Sequence, residues 1–479
     1  MQDRMLIGGA WCGAASGKTF PVRNPATDAL IAEVPDGTST DTAQAISAAA
    51  AAFPAWSATT ALERSGLLRA LAAAMMQRQD QLATLCTSEC GKPLTEARGE
   101  VAYAAGFLDW FAEEARRVYG QSIPSSDSAK RLLTLRRPVG VAAAITPWNF
   151  PLAMVTRKMG PALAAGCTQV VKPAEQTPLS ALAIAELATE VGFPAGVINV
   201  VTGLDAAALC APFFQGMTVR HVSFTGSTEV GKLLIRQSAD SVIRLSLELG
   251  GHAPFVVFED ADLDLAVAGA IASKFRNSGQ TCVCANRFLV QRSVRAAFVE
   301  KFTAAVRALK VGRGDQLGVN VGPLIDDAGA RKVAEHVQEA VAAGAAIRCG
   351  GKPARVEGGS ARFFEPTVLD QVTPAMRCAR EETFGPVAPV MEFGTEQEAL
   401  AMANDTPYGL AAYCYTRDGA RIVRMMEGLH YGIVGINDAL PACPQAPFGG
   451  VKQSGLGREG GPHGIDEYLD LRYVSWRVG

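Results

Sequence analysis

Five apolar segments in the middle of the chain decide its fold: VGVAAAITPW (139–148), TQVVKP (168–173), GVINVVTG (196–203), VRHVSFTG (219–226) and RLSLELGG (244–251). Each is typical of a buried strand. Helical segments separate them, namely GPALAAGC (160–167), SALAIAELATEVG (180–192), AAALCAPFF (206–214) and STEVGKLLIRQSA (227–239). Strands and helices that alternate through short loops predict a parallel, doubly wound α/β sheet. Such sheets bind ligands at the carboxyl ends of their strands.

The flanking regions predict a helical layer and a second α/β unit. Residues 41–117 form long, alanine-rich amphipathic segments, which are typical of helices that cover a sheet. Residues 1–38 alternate apolar and turn signals, which favours short strands. A second alternation of strand and helix begins near Gly251, and its segment RFLVQ (287–291) is expected in a different sheet from VRHVSFTG.

Two further segments alternate apolar and polar residues. Residues 121–137 end in the run RLLTLRR, which predicts an exposed strand or hairpin. An exposed strand of this kind is a candidate for pairing with another subunit. The end of the chain, GIDEYLDLRYVSWRVG, alternates again and is a candidate partner for residues 121–137.

The composition excludes several classes of protein. Hydrophobic residues make up 48% and charged residues 19% of the 479 residues, which indicates a compact globular chain. The net charge is −2 and no basic run occurs, which argues against nucleic-acid binding. The apolar runs are too short to span a membrane, and the first residues have no signal-peptide pattern. Scattered cysteines argue against a disulfide scaffold, so we expect a reduced, cytoplasmic protein.

The loop NSGQTCVCANR (277–287) holds two cysteines, Cys282 and Cys284. A thiolate is favoured by exposed backbone N–H groups, and the polar Gly-Gln-Thr approach suits that setting. The alternative is a pair of buried structural thiols, since free cysteine is among the most buried residue types. The C-x-C spacing matches no standard zinc pattern, and the five histidines are scattered, so no metal site is expected.

Polar residues follow several of the predicted strands. Asn149 is suited to donate to a developing oxyanion, although it could equally be a turn residue. Gly226 and Ser227 join a strand to a helix, where they would bind phosphate or cap the helix. Glu248 ends an apolar strand, so it is either a base with a raised pKa or the partner of an arginine.

Two other motifs suit a nucleotide. In KPAEQTP, Lys172 and Glu175 stand at the carboxyl end of a strand, where an acidic group bonds ribose hydroxyls and repels a 2′-phosphate. In EETFGP, Glu382 would bind a second ribose and Phe384 would pack against a ring. Either motif alone is also consistent with an ordinary loop.

The order of the motifs is more specific than any one of them. PWNFP, KPAEQTP, FTGSTEVGK, LELGG, GQTC, EETFGP and PFGGVKQSGLGREGG (447–461) together closely resemble the NAD(P)-dependent aldehyde dehydrogenase superfamily, most of all its succinate-semialdehyde dehydrogenase branch. The resemblance covers nearly the whole chain. It implies a Rossmann-type NAD-binding domain (1–120 and 138–250), an α/β catalytic domain (251–449), and an oligomerisation hairpin and tail (121–137 and 465–479). Members of the family are homodimers or homotetramers.

The resemblance also assigns the chemistry. Cys282 matches the nucleophile that attacks the aldehyde and forms a thiohemiacetal. Asn149 and the Cys282 N–H match the donors that hold the oxyanion. Glu248 matches the base that activates water to hydrolyse the thioester, which leaves the acid.

For the cofactor, the family pattern implies Lys172 and Glu175 at the adenine ribose. It implies Trp148 and Ser227, beside Gly226, at the pyrophosphate. It places Glu382 at the nicotinamide ribose and Phe384 near the nicotinamide ring. The charge of Glu175 predicts NAD in preference to NADP, by about tenfold or more.

For the substrate, Arg157 and Arg276 match the arginines that hold the distal carboxylate, and Phe150 and Phe448 would be apolar walls. Planar guanidinium groups suit carboxylates. The serine of the branch is replaced by Ala442 in a proline-containing loop. Succinate semialdehyde, a longer ω-semialdehyde or an uncharged aldehyde are therefore all open.

Three further hypotheses remain at this point. Cys284 is either a small core residue or the partner of Cys282 in a reversible disulfide that switches the enzyme off. A CoA-acylating activity is disfavoured by Glu248, because that reaction needs no base for water. A non-catalytic binding protein is disfavoured by the complete set of Cys282, Glu248 and Asn149.

Overall fold

The computed structural model of the chain describes residues 2–478. Met1 of the predicted NAD-binding domain and Gly479 of the predicted tail lie outside the described residues. The strands are β1 (Met5–Ile7), β2 (Ala10–Cys12), β3 (Thr19–Arg23), β4 (Leu30–Pro35), β5 (Gln121–Ile123), β6 (Lys130–Pro138), β7 (Val141–Ile145), β8 (Thr168–Lys172), β9 (Ile198–Val200), β10 (Val219–Thr225), β11 (Arg244–Glu248), β12 (Ala253–Val257), β13 (Ala285–Gln291), β14 (Ala346–Cys349), β15 (Thr367–Asp370), β16 (Val387–Phe393), β17 (Ala411–Tyr415), β18 (Ile433–Ile436), β19 (Gly455–Leu456) and β20 (Leu469–Arg477).

The α-helices are α1 (Ser39–Ser57), α2 (Ala61–Gln77), α3 (Gln79–Cys90), α4 (Leu94–Glu114), α5 (Ala153–Ala165), α6 (Pro178–Glu190), α7 (Ala206–Cys210), α8 (Thr228–Ser238), α9 (Leu263–Phe275), α10 (Arg292–Arg307), α11 (Asp327–Ala342), α12 (Glu396–Asn404) and α13 (Gly419–Gly428). In the part of the chain that the structure describes, none of them is both long and apolar enough to cross a lipid bilayer.

The first sheet has eight strands in the order β19-β11-β10-β7-β8-β9-β1-β2. Its centre, from β11 to β9, is parallel, and β19, β1 and β2 are antiparallel edges. Successive residues of β7 face opposite cores. Ala142 and Ala144 pack in the core of helices α2–α6, whereas Ala143 and Ile145 pack in the core that holds α1 and α8. The predicted parallel sheet with helices on both faces is confirmed.

The second sheet has seven strands in the order β14-β15-β16-β13-β12-β17-β18. All neighbouring pairs are parallel except β14 with β15. As predicted, RFLVQ (within β13) and VRHVSFTG (β10 and the following Gly226) belong to different sheets. The chain therefore has two α/β units, and the loop before β13 carries the two neighbouring cysteines.

Strands β20, β6 and β5 form a third sheet, in that order, which shares no strand with the first two sheets. The last strand pairs with β6 from Leu469 opposite Pro138 to Arg477 opposite Lys130, which confirms the predicted pairing of tail and hairpin. The domain boundaries themselves stay a prediction. One strand, β19, enters the first sheet from beyond residue 449, outside the range predicted for the NAD-binding domain.

The helix after β7 differs from its prediction. The sequence predicted a helix over residues 160–167, but α5 begins at Ala153. Every residue of α5 is buried. A helix that is apolar or buried all round lacks the polar face that produces a visible 3.6-residue period, so its first turns were missed. The predicted helix AAALCAPFF is also shorter, because α7 ends at Cys210 and continues as a 3₁₀ turn.

Candidate active site

The turn between β7 and α5 carries Trp148, Asn149 and Phe150. Asn149 is 6% exposed, and its Nδ2 donates to the carbonyl oxygen of Gln280 at 3.0 Å. An amide nitrogen has two hydrogens, so the second remains for another acceptor. This hydrogen bond ties the turn of Asn149 to the loop of Cys282.

The Cys282 loop begins with residues in unusual backbone conformations. Asn277 and Ser278 have φ angles of 49° and 58°, a region that side chains other than glycine rarely adopt. The Asn277 side chain compensates by donating to the carbonyl oxygens of Asn149 at 2.9 Å and Gln280 at 3.2 Å. At Gly279, a Cβ would lie 2.2 Å from the carbonyl oxygen of Gly385, so only glycine fits. The loop is therefore held in one shape against Asn149.

Cys282 lies in the turn before β13 and is half-buried. Desolvation by the surrounding protein raises the pKa of its thiol to about 12, and Arg157 is the strongest opposing influence. The resting side chain is therefore a thiol at neutral pH. A nearby base or cation is needed to make it nucleophilic.

Glu248 ends β11 and is 2% exposed. Neither of its carboxylate oxygens has a hydrogen-bond partner in the described residues. Burial raises its pKa well above the ordinary carboxyl value, and the negative charge of Glu459 raises it further. The alternative of a direct salt bridge to an arginine is not found among residues 2–478. Glu248 is thus a buried carboxyl group whose oxygens make no hydrogen bond within residues 2–478.

A buried charge cluster that the sequence interpretation missed lies beside Glu248. Glu459 pairs with Arg157 Nε at 2.5 Å and with Lys158 Nζ, and Lys158 also donates to Thr225 Oγ1 at 2.7 Å. Burial alone would raise the pKa of Glu459, but Arg157 and Lys158 lower it to about 2. Lys158 and Glu459 are 301 residues apart. The one available signal was an acidic residue within the glycine-rich run GLGREGG.

The two predicted substrate arginines each lie over a predicted apolar wall. The Arg157 guanidinium carbon is 4.2 Å from the centre of the Phe448 ring, and that of Arg276 is 5.4 Å from the Phe150 ring. Arg157 Nη2 and Arg276 Nε are buried without a hydrogen-bond partner in the described residues.

Cys282 packs against the core that contains Phe448, the ring over which Arg157 lies. Burial raises the pKa of Tyr103 on α4. The positive charges of Arg157 and Arg276 lower that pKa, and the negative charge of a Cys282 thiolate raises it. Ala442, which replaces the serine of the branch, packs partly buried against the core that contains Phe448.

The predicted adenine side of the cofactor site lies at the carboxyl edge of the first sheet. Lys172 ends β8, and its Nζ lies 3.1 Å from Glu175 Oε2. Gly226 follows β10, and Ser227 caps α8 by accepting from the Val230 N–H at 3.3 Å. The helix N-terminus and the bare glycine offer N–H groups suited to phosphate.

The predicted nicotinamide side lies between the two sheets' loops. Glu382 accepts from the Gly251 N–H at 3.1 Å, and burial raises its pKa to about 7. Phe384 has a φ of 55°, and its ring meets that of Trp148 edge-on at 5.5 Å. Glu175 and Glu382 can accept from the hydroxyls of the two riboses of a dinucleotide, and the N–H groups at the start of α8 can donate to its phosphates. The residues present therefore fit NAD(P).

Cys284 lies deeper than Cys282. It is 1% exposed, and its Sγ donates to the carbonyl oxygen of Gly279 at 3.3 Å and lies 3.7 Å from Lys274 Nζ. Both cysteines are free thiols in the structure. The disulfide between them stays a prediction.

The carboxyl edge of the parallel sheet presents acidic side chains and N–H groups, and the Cys282 thiol lies in a neighbouring loop. This combination is typical of NAD(P)-dependent enzymes. The chain belongs to the aldehyde dehydrogenase family, whose model matches residues 11–474. It is 54% identical over 477 residues to glutarate-semialdehyde dehydrogenase of Pseudomonas putida, covering 100% of this chain and 98% of that protein.

Two further comparisons agree. The chain is 54% identical over 473 residues to succinate-semialdehyde dehydrogenase [NADP(+)] of Escherichia coli strain K12, covering 99% of this chain and 97% of that protein. A crystal structure of an E. coli NADP-dependent enzyme matches with a TM-score of 0.98 and 53% identity, covering 100% of this chain and 98% of that chain. The predicted family and fold are therefore confirmed.

Proposed function

We propose that the protein oxidises a carboxylate-bearing aldehyde, succinate semialdehyde or a close ω-semialdehyde, to the acid with NAD. One observation carries the substrate class: within residues 2–478, Arg157 Nη2 and Arg276 Nε are buried without a hydrogen-bond partner, and Arg157 lies over Phe448, whose core Cys282 also contacts. Such donors are costly unless a ligand satisfies them. The two relatives described above are both named for semialdehydes, which supports the same class.

In the first half of the reaction, the Cys282 thiol loses its proton to solvent and the resulting thiolate attacks the aldehyde carbon. The oxyanion of the thiohemiacetal accepts from the free hydrogen of Asn149 Nδ2 and from the Cys282 N–H. Arg157 assists, because it is the cation that lowers the thiol's pKa most strongly. The distal carboxylate of the substrate binds the arginines and holds the aldehyde in line with the sulfur.

The second half follows from the environment of Glu248. Glu382 and Phe384 would hold the nicotinamide of NAD, which would supply the hydride acceptor, so that loss of hydride from the substrate carbon would leave a thioester on Cys282. Glu248 takes a proton from water, the resulting hydroxide attacks the thioester, and the acid leaves as the thiol is restored. A carboxylate without partners and with a raised pKa is a stronger base than an exposed one.

A second candidate substrate class is uncharged aldehydes, because Ala442 supplies no hydroxyl to a distal carboxylate. Initial rates of NAD reduction over succinate semialdehyde, glutarate semialdehyde and uncharged aldehydes of matching length separate the two. We expect the acid-bearing aldehydes to be favoured by about 2 kcal/mol or more in transition-state binding. Equal rates for uncharged aldehydes would replace the semialdehyde proposal and leave the family unchanged.

Replacing Arg276 by methionine tests the carboxylate site directly. The semialdehyde loses a charged hydrogen bond, so we expect its kcat/KM to fall about 10- to 150-fold, equivalent to about 1.5–3 kcal/mol. An uncharged aldehyde measured with the same variant is the control, and its kcat/KM is expected to stay within about threefold. A parallel loss for both aldehydes would show that Arg276 acts on the shape of the loop instead.

We propose that NAD is preferred over NADP because of Glu175. Its carboxylate lies beside Lys172 at the strand end where the adenine ribose of a dinucleotide lies. The pairing leaves Lys172 only partly available to offset a 2′-phosphate. The E. coli relative is named for NADP(+), so this preference would distinguish the two proteins.

The substitution Glu175→Gln keeps the size of the side chain and removes its charge. We expect the ratio of kcat/KM for NADP to that for NAD to rise about tenfold or more, because a repulsion of more than about 1.4 kcal/mol is removed. Steady-state kinetics with both cofactors at one semialdehyde concentration measure it. An unchanged ratio would show that a residue other than Glu175 sets the preference between NAD and NADP.

We also propose a homodimer or homotetramer that works in the cytoplasm. The sheet of β5, β6 and β20 exposes Leu135, Leu471, Tyr473 and Trp476. Leu135 and Trp476 lie on one face of this sheet, and Leu471 and Tyr473 lie on the other. Exposed apolar side chains on an open sheet suit contact with another subunit. All eleven cysteines are free, which is consistent with a reducing compartment.

A further inference from the structure

The turn that carries Asn149 is held from behind by a buried ion pair that takes no part in the chemistry above. Lys92 follows α3, and its side chain is 1% exposed. Its Nζ donates to the carbonyl oxygen of Asn149 at 2.7 Å and pairs with Glu100 Oε2. The same ammonium group lies 3.9 Å from the centre of the Phe150 ring.

The other carboxylate oxygen of Glu100 fastens the helix that follows the turn. Glu100 Oε1 accepts from the N–H groups of Leu152 at 2.9 Å and Ala153 at 3.2 Å. These residues form the beginning of α5, which carries Arg157. Glu100 thus accepts hydrogen bonds from backbone N–H groups just after the turn. It also pairs with Lys92, which donates to the Asn149 carbonyl oxygen.

The same helix, α4, also bonds the Cys282 loop. Glu96, one turn before Glu100, accepts from the Asn277 N–H at 2.8 Å, and Asn277 in turn donates to the Asn149 carbonyl. The peptide of Asn149 is therefore fixed by Lys92 on one side and by the nucleophile's loop on the other. These bonds fix the backbone position from which the Asn149 side chain projects, and the bond from its Nδ2 to the Gln280 carbonyl oxygen orients the amide itself.

We propose that Lys92 and Glu100 are positioning residues that aim the Asn149 amide at the oxyanion. The inference rests on the proposed role of Asn149. A buried ion pair is seldom the most stabilising choice for a core, since apolar residues of equal volume often do as well. Here the pair supplies something apolar residues cannot, namely a strong donor to one carbonyl and an acceptor for two N–H groups.

The variant Lys92→Met with Glu100→Gln tests this. Glutamine keeps an oxygen for Leu152 and Ala153, and methionine removes the ammonium group that donates to Asn149, so both charges of the buried pair are removed together. We expect single-turnover hydride transfer from semialdehyde to NAD to slow about tenfold or more, since losing an oxyanion donor outright costs about 10²- to 10³-fold. Alkylation of Cys282 by iodoacetamide forms no oxyanion and is expected to stay within about twofold of wild type.

The matched control is Lys301→Met with Asp264→Asn, which removes an exposed pair 2.6 Å apart. We expect it to change neither rate. Glu100→Gln alone is the second test should the double variant fold poorly. It keeps Lys92, removes its anionic partner, and is expected to slow hydride transfer by a smaller factor with alkylation unchanged.

Combining the double substitution with Asn149→Ala shows whether the pair acts through Asn149. We expect no more than about a twofold further fall in that background. A further tenfold fall, an equal loss in alkylation, or a wild-type rate in the double variant would each overturn the inference. If Asn149→Ala itself transferred hydride normally, the proposed role of Asn149 would fail first, and that outcome is distinct from the other three.

Discussion

Replacing Cys282 by alanine is expected to lower NAD reduction about 10⁴-fold or more, because no other group can form the covalent intermediate. The matched control is Cys284→Ala, which removes a thiol two residues away. Cys284 is 1% exposed and donates to a backbone carbonyl, so its loss is expected to change the rate no more than about threefold. Initial rates with semialdehyde, alongside circular dichroism to show equal folding, measure both.

The two cysteine variants also separate the roles of the neighbouring thiols. If Cys284→Ala lost as much activity as Cys282→Ala, the assignment of the nucleophile would be wrong. The same Cys284 variant tests the disulfide hypothesis. Inactivation by peroxide that is as fast as in wild type, and is reversed by reductant to the same degree, would exclude a Cys282–Cys284 switch.

Replacing Glu248 by glutamine is expected to block hydrolysis while leaving hydride transfer in place. The first turnover should give about one NADH for each site, followed by steady-state turnover about 10²- to 10⁴-fold slower than wild type, the usual contribution of a general base. Stopped-flow measurement of NADH resolves the two phases. Loss of the first phase as well would show that Glu248 is also needed before the thioester forms.

The pH dependence of turnover provides an independent check on Glu248. A base works only after losing its proton, and burial and Glu459 raise the pKa of Glu248 well above 4.5. The fraction of active carboxylate is therefore small near pH 4.5 and grows as the pH rises through the raised pKa. We expect kcat of the wild type to rise with pH across that range and the residual kcat of Glu248→Gln not to follow it.

Local patterns were enough to predict much of the fold. The parallel strands β7, β8, β10 and β11 were visible because each is a short apolar run followed by a polar turn, and parallel strands are buried on both faces. The pairing of β20 with β6 was visible because both alternate exposed apolar and polar residues. The start of α5 was not, since all its residues are buried and no polar face marks its period.

The motifs predict Cys282, Asn149 and Glu248 as the catalytic groups, but they do not report the charged groups that surround them. The negative charge of Glu459 raises the pKa of Glu248. Glu459 lies 301 residues after its partner Lys158. Lys92 lies 57 residues before Asn149. Contacts across such separations depend on how whole helices pack, and no spacing within the chain reports them.

The order in which the chain is synthesised affects when β19 and β20 can pair. β19 pairs with the β11 edge of the first sheet and β20 pairs with β6, so each of these two sheets is completed by a strand that is synthesised well after the strand it pairs with. On the ribosome, the central strands emerge long before these partners, with the edges of β11 and β6 still unpaired. Exposed strand edges attract other chains. The edges of β11 and β6 are therefore open to pairing with other chains until β19 and β20 have been made.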